Sequence, residues 1–182
     1  MRPGPYLTVL VALAALSPAT LASQTPEWTR RPSLRFLTLK AGEPLAVTNE
    51  RIADLYGTPL RCTSSRMDAR VADCRARFPE PVTGREVDVW LSSIDSLVAI
   101  LTVSGAVTPV QLQAWRSSLE SAYRDAEASS QGTQVSMHWI RHRQMLRLTW
   151  RDFSDSTVAS VSLVDGPILD GWRRRGESQD GE

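Results

Sequence analysis

The sequence predicts an α+β domain in which helices pack on one face of a mainly antiparallel sheet. Three observations lead to this expectation. Residues 108–111 read Thr-Pro-Val-Gln, a capping box, and the apolar residues behind them recur at spacings of three and four over 109–125, which indicates a helix with one buried stripe. Residues 97–103 are an almost continuous apolar run, as expected of a central strand that ends at Gly105. The alternation over 86–91 indicates a further strand with one solvent-facing side.

The composition excludes several classes of protein. The 182 residues are 42% hydrophobic and 23% charged, which suits one globular domain. Twenty-one basic and 20 acidic residues give a net charge of +1, so no global field attracts nucleic acid. No metalloprotease, serine-hydrolase or phosphate-loop motif occurs, and two His and two Cys are few metal ligands. We therefore expect no cofactor, no metal and no catalysis.

Residues 1–22 have the three parts of a secretory signal peptide. A basic Arg2 precedes an apolar core of about 11 residues, which is shorter than a membrane-spanning helix needs. The small residues Thr20 and Ala22 then mark a cleavage site, and no cysteine follows it that could carry a lipid. We expect an exported protein, periplasmic or extracellular, not lipid-anchored and without a transmembrane segment in the mature chain.

Export gives the two cysteines a simple interpretation. Cys62 and Cys74 are equidistant from Asp68, so a hairpin that turns at Asp68 places them directly opposite each other. In an oxidising compartment such a pair forms a disulfide. The spacing differs from the C-x-x-C arrangement of redox-active thiols.

The other elements follow from local patterns. In chain order they are a short strand at 34–39, a helix capped by Thr48 and stopped by Gly57, a loop at 128–133, strands at 135–141, 145–151 and 157–164, and a helical turn at 167–172. The domain organisation is a flexible leader at 23–33, a single domain at 34–172 and a disordered tail at 173–182.

An internal repeat is a further prediction. Residues 95–101 align with 155–161 at an offset of 60, and each segment is the last strand of its half. The sub-repeats 48–105 and 108–166 would each contain a helix followed by a three-stranded meander. Coincidence among common residues is the other explanation of the match.

The helix end Leu-x-Gly-x-Pro at 55–59, with the strands that follow it, resembles the SmpA/OmlA group of small envelope proteins. The doubled arrangement is similar to the β-lactamase-inhibitor-protein architecture, in which such units stand in tandem. The chain differs from the first group by lacking a lipid-modified cysteine, and from the second by having one candidate disulfide where the inhibitor repeats usually bring two. The resemblance implies a non-catalytic binding module that works outside the cytoplasm.

The candidate binding site is a basic and aromatic patch on the last meander. Arginine binds carboxylates and phosphates bidentately and stacks on indole rings, so this patch predicts contact with a protein or cell-envelope component. Its residues are Trp139, Arg141, Arg143, Arg147, Trp150 and Arg151. A hydrolase or small-ligand carrier, whose site forms only in three dimensions, is the alternative.

Overall fold

The computed structural model describes residues 33–179. This part of the chain has three helices and an eight-stranded antiparallel sheet, which confirms the α+β prediction. The helices are α1 (Leu45–Tyr56), α2 (Pro109–Tyr123) and α3 (Gly166–Gln179). The strands are β1 (Arg61–Ser64), β2 (Val71–Pro79), β3 (Glu86–Ile94), β4 (Leu97–Val107), β5 (Glu127–Gln131), β6 (Gln134–Arg141), β7 (Gln144–Asp152) and β8 (Thr157–Asp165). The predicted signal peptide and residues 23–32 of the predicted leader lie outside the described residues.

The sheet consists of two four-stranded meanders that meet in its centre. The strand order is β1-β2-β3-β4-β8-β7-β6-β5, so β4 and β8 pair directly. The predicted loop at 128–133 is wrong over most of its length, because β5 forms there as an exposed edge strand on β6. An edge strand exposed on both faces has no apolar alternation, so the pattern did not reveal it.

The hydrophobic core lies between one face of the sheet and the helices α1 and α2. Alternate residues of the strands point to this face, and most of those on the central strands β4 and β8 are buried. Ile52 of α1 and Trp115 and Leu119 of α2 pack against them, which confirms the predicted buried stripe of α2. The opposite face of the sheet, which we call the open face, carries the other set of alternating residues.

The N-terminal part of the domain differs from the prediction. Instead of a strand at 34–39, Leu37 and Thr38 form a tight turn with φ values of 48° and 69°, flanked by paired Phe36 and Leu39. Helix α1 begins at Leu45, before the predicted cap. Thr48 lies inside the helix, where its buried hydroxyl donates to a carboxylate oxygen of Glu43.

Of three predicted element ends, one is confirmed and two are wrong. Gly57 ends α1 as predicted, with a left-handed φ of 68° and its N–H donating to the carbonyl of Ala53. Strand β4 does not end at Gly105 but continues to Val107. The predicted helical turn at 167–172 extends into α3, so residues 173–179 are helical rather than a disordered tail.

The predicted disulfide is confirmed. Cys62 and Cys74 are registered partners of β1 and β2 and are bonded to each other. Such a bond indicates an oxidising, non-cytoplasmic compartment. None of the helices within residues 33–179 combines the length and apolar composition that a membrane crossing requires.

Removing this bond is expected to destabilise the protein measurably. For a loop closed over 12 positions, the double substitution Cys62→Ala/Cys74→Ala is expected to lower the free energy of unfolding by about 3 kcal/mol. That loss corresponds to a fall in Tm of about 6–12 °C for a domain of this size. Thermal unfolding with and without reductant measures it. Reductant should lower the Tm of the wild type and leave that of the double variant unchanged; equal Tm values for both proteins would contradict the prediction.

Candidate functional site

The predicted Arg/Trp patch does not form one surface. Trp139 is 2% exposed on the core face, where its indole Nε1 donates to the carbonyl of Arg124 at 2.9 Å. Trp150 is partly buried against the same core. Arg147 and Arg151 lie on β7 at odd separations from Trp150, so the pleat turns them to the open face.

The other two arginines of the patch have structural contacts. Arg141 lies 5.6 Å from the ring centroid of Tyr123 and donates to the carbonyl of the same residue at 2.7 Å. Arg143 lies in the turn between β6 and β7 and forms an ion pair with Asp170 of α3. These contacts join β6 to the end of α2, and the β6–β7 turn to α3.

The strand register assembles a different group of residues in a single row across the open face. Each member pairs in register with the next, from one edge of the sheet to the other. In order from β1 to β5 the row is Arg61, Arg75, Trp90, Thr102, Ser162, Arg147, His138 and Glu127. We call it the basic row. Of these residues, the predicted site included only Arg147.

A row of hydroxyl groups lies next to the basic row. It runs in register through Ser104, Ser160, Thr149, Ser136 and Ser129, one residue from each of five neighbouring strands. Hydroxyl groups both donate and accept hydrogen bonds, so this row offers either partner to a docked molecule. Ser129 and Ser136 already bond to each other at 2.9 Å.

The charges of the open face are only partly compensated. Arg77 forms an ion pair with Asp88 at 2.7 Å, and His138 contacts Glu127 at 2.9 Å. Arg61, Arg75 and Arg147 are exposed, and none of them has a hydrogen-bond or ion-pair partner among the side chains that the structure describes, those of residues 33–174. The open face therefore carries three arginines without an ion-pair partner, and two exposed carboxylates of the same face, Asp73 and Glu86, also have none.

A cavity of about 380 Å³ lies on the other side of the sheet, between the 35–38 turn and α2. Its lining includes Trp115 and the fully buried Glu80. Both carboxylate oxygens of Glu80 already accept hydrogen bonds from the protein, one of them from the indole of Trp115 at 3.3 Å. Burial raises the pKa of the neighbouring Tyr56, and the charge of Glu80 raises it further. The carboxylate thus holds the fold together rather than pointing unpaired into the cavity.

Helix α3 is fixed to the β1–β2 turn by a small polar cluster. Asp68 accepts hydrogen bonds from the guanidinium of Arg70 at 3.0 and 2.7 Å and from the indole N–H of Trp172 at 2.8 Å. These contacts hold the pKa of Asp68 well below its usual range, with the Arg70 hydrogen bond as the largest cause. The same pairing raises the pKa of Arg70. The cluster is explained by its role in docking α3.

The two histidines lie in different elements of the fold. His138 belongs to the basic row, whereas His142 lies in the turn between β6 and β7. In the part of the chain whose side chains the structure describes, no group of three or more His, Cys, Asp or Glu side chains is placed to hold a metal ion. No protein-family model, curated protein or solved structure matches this chain.

Proposed function

We propose that this chain is an exported binding module without catalytic activity, which uses the open face of its sheet to bind a protein or cell-envelope component with acidic groups. The observation that carries the proposal is the basic row. It places three arginines without an ion-pair partner, and the indole of Trp90, on the face of the sheet opposite the hydrophobic core. Arginine and tryptophan are the side chains that most often anchor protein interfaces.

The dimensions of the open face suit such a partner. Eight strands at about 4.8 Å spacing span about 34 Å, and successive rows lie about 7 Å apart along the strands. The basic row, the hydroxyl row and the neighbouring row through Ala106, Val158, Arg151, Gln134 and Gln131 therefore offer on the order of 700 Å², close to the roughly 800 Å² that each partner buries in a standard interface. The hydroxyl row supplies hydrogen-bonding groups beside the charged anchors.

We also propose that the two halves of the domain are tandem units and that the protein works in the periplasm or outside the cell. Thr102 and Ser162, which are 60 residues apart, pair directly and share a hydrogen bond of 3.0 Å. A two-fold relation between equivalent strands would bring equivalent residues together in this way. Each unit would then be a helix with four strands rather than three. We propose likewise that these units are similar to SmpA/OmlA-type and inhibitor-protein domains.

Site-specific photo-crosslinking tests whether a partner binds to the open face. A photoreactive amino acid is placed at Ala106 or Val158, exposed neighbours on the open face, and at Gln113 or Ser117 on the exposed side of α2 as matched controls. After irradiation in the native envelope, we expect adducts from the first two positions only. Equal adducts from all four positions, or none from the open face, would rule the proposal out.

A charge-reversal pair completes the test. Arg75→Glu/Arg147→Glu inverts the charge of two arginines that have no ion-pair partner and is expected to abolish the adducts formed through Val158, because like charges then repel an acidic partner. The control Arg116→Glu/Arg124→Glu makes the same net change on exposed residues at α2 and its C-terminal cap, away from the open face. Loss of adducts in both variants would show a general charge effect and would contradict recognition by this face.

A further inference from the structure

We propose that the β1–β2 end of the open face is a binding site for a phosphate-class oxyanion. This inference rests on the proposed function, since it names the chemistry that one end of the open face recognises. A cavity of about 340 Å³ lies there, bordered by the residues that precede β1 and by same-face side chains of β1, β2 and β3. Its lining includes Thr58, Pro59, Arg61, Arg75, Arg77 and Asp88.

The first argument is an arginine pair that the protein does not neutralise. Arg61 and Arg75 are registered partners in an antiparallel pair, and like charges directly opposite each other destabilise a sheet. The carboxylate that lines the cavity, Asp88, is already bound by the Nε and a terminal nitrogen of Arg77, each at 2.7 Å. Asp73 lies one row away, opposite Thr63. A bound anion between Arg61 and Arg75 would remove their repulsion.

The second argument is the geometry of the donors. Cα atoms of paired antiparallel residues lie about 4.5–5.5 Å apart, which brings two guanidinium groups within reach of one tetrahedral anion. A guanidinium presents a planar fork that matches phosphate oxygens bidentately. The hydroxyl of Thr58 is a further donor in the lining.

The third argument is that the wall of the cavity is held in place. Gly57 ends α1 in a left-handed conformation, and Pro59 restricts both its own φ and the conformation of Thr58 before it. The next backbone N–H, that of Leu60, donates to the side-chain oxygen of Asn49 in α1 at 2.8 Å. The wall therefore does not have to be ordered when an anion binds. This lowers the entropic cost of binding.

Titration of the disulfide-bonded protein with inorganic phosphate tests the site. We expect saturable shifts of the backbone amide resonances of Arg61, Arg75 and Arg77, and no such shifts with chloride at equal ionic strength. Arg61→Gln/Arg75→Gln is expected to weaken phosphate binding at least about tenfold, because two charge-assisted donors are lost. Arg116→Gln on the exposed side of α2 is the matched control and should bind within about twofold of the wild type.

A second variant separates binding from folding. Asp88→Asn releases Arg77 and removes the competing carboxylate, so phosphate should bind several-fold more tightly. A misfolded variant would not bind more tightly. Phosphate binding that is unchanged in both variants, or absent from the wild type, would overturn the site.

A vesicle-sedimentation assay identifies the source of the phosphate group. Vesicles containing phosphatidic acid are compared with pure phosphatidylcholine vesicles in a sedimentation assay. Sedimentation that requires Arg61 and Arg75 identifies a lipid headgroup, whereas amide shifts with inorganic phosphate alone identify a free anion; both support the site. Adducts through Val158 without any phosphate binding would retain the binding module and reject this site. Phosphate binding without such adducts would support this site and reject the binding module.

Discussion

Replacing Trp115 with alanine is expected to lower the free energy of unfolding by about 3–5 kcal/mol. The side chain is 1% exposed and meets the ring of Phe36 edge to face, with centroids 5.0 Å apart. Its indole N–H also donates to the buried carboxylate of Glu80. The substitution leaves a large cavity beneath α2 and one donor fewer at that carboxylate. Urea unfolding measures the loss.

Two further variants identify the cause of that loss. Trp115→Phe retains an aromatic ring in the site but removes the N–H donor and part of the indole, so it should cost clearly less than alanine does. Val110→Ala, on the same helix but 71% exposed, should change the free energy of unfolding by less than about 0.5 kcal/mol. A cost below about 1 kcal/mol for Trp115→Ala would show that α2 does not pack on the core as described.

The elements that local sequence predicted correctly are those in which a single physical cause dominates. Helix α2 is specified by a capped start and a regular apolar stripe, and Thr108 indeed accepts a hydrogen bond from the N–H of Gln111 at 3.1 Å. Strand β4 is specified by its apolar run and lies in the centre of the sheet. The Cys62–Cys74 pairing followed from symmetry about one turn residue. In each case the information lies within a short segment of chain.

The prediction that the Arg and Trp residues of the patch share one exposed face is wrong, because proximity in sequence was used in place of strand parity. Arg147 and Trp150 are three residues apart on β7, and an odd separation on a strand places two side chains on opposite faces. Parity alone would have separated them. The basic row was beyond such reasoning, since it depends on the pairing of β4 with β8, some 60 residues later in the chain. Register between distant strands is set by tertiary packing.

The burial of Glu80 in the core could not be predicted from local sequence either. The sequence places it next to a polar, proline-containing loop, where a carboxylate is ordinarily solvated. In the fold it is fully buried, because α2 packs over the β2–β3 loop and brings two donors to it. No local pattern indicates that an acidic side chain will receive donors from residues more than 30 positions away.

Glu80→Ala is the second substitution for which we expect a large effect, about 3–5 kcal/mol of unfolding free energy. It leaves the amide of Gln111, the indole of Trp115, and the backbone N–H and hydroxyl of Thr83 without their shared acceptor. Each buried donor that loses its partner costs about 1–3 kcal/mol, and the part that water can reach costs least. Equilibrium urea unfolding of the variant beside the wild type measures the loss.

Glu80→Gln is the informative comparison, because it tests hydrogen bonding at nearly constant volume. The new amide retains one acceptor oxygen and gains donors. The side-chain oxygen Oε1 of Gln111, which is buried and has no hydrogen-bond partner among the described residues, can accept from the new amide if its own amide rotates. We therefore expect Glu80→Gln to cost less than half as much as Glu80→Ala. A double-mutant cycle with Trp115→Phe should give a coupling energy of about 0.5–3 kcal/mol. Additive effects would mean that the indole and the carboxylate do not share a bond, and equal costs for both Glu80 variants would mean that charge, rather than donor satisfaction, holds α2 on this loop.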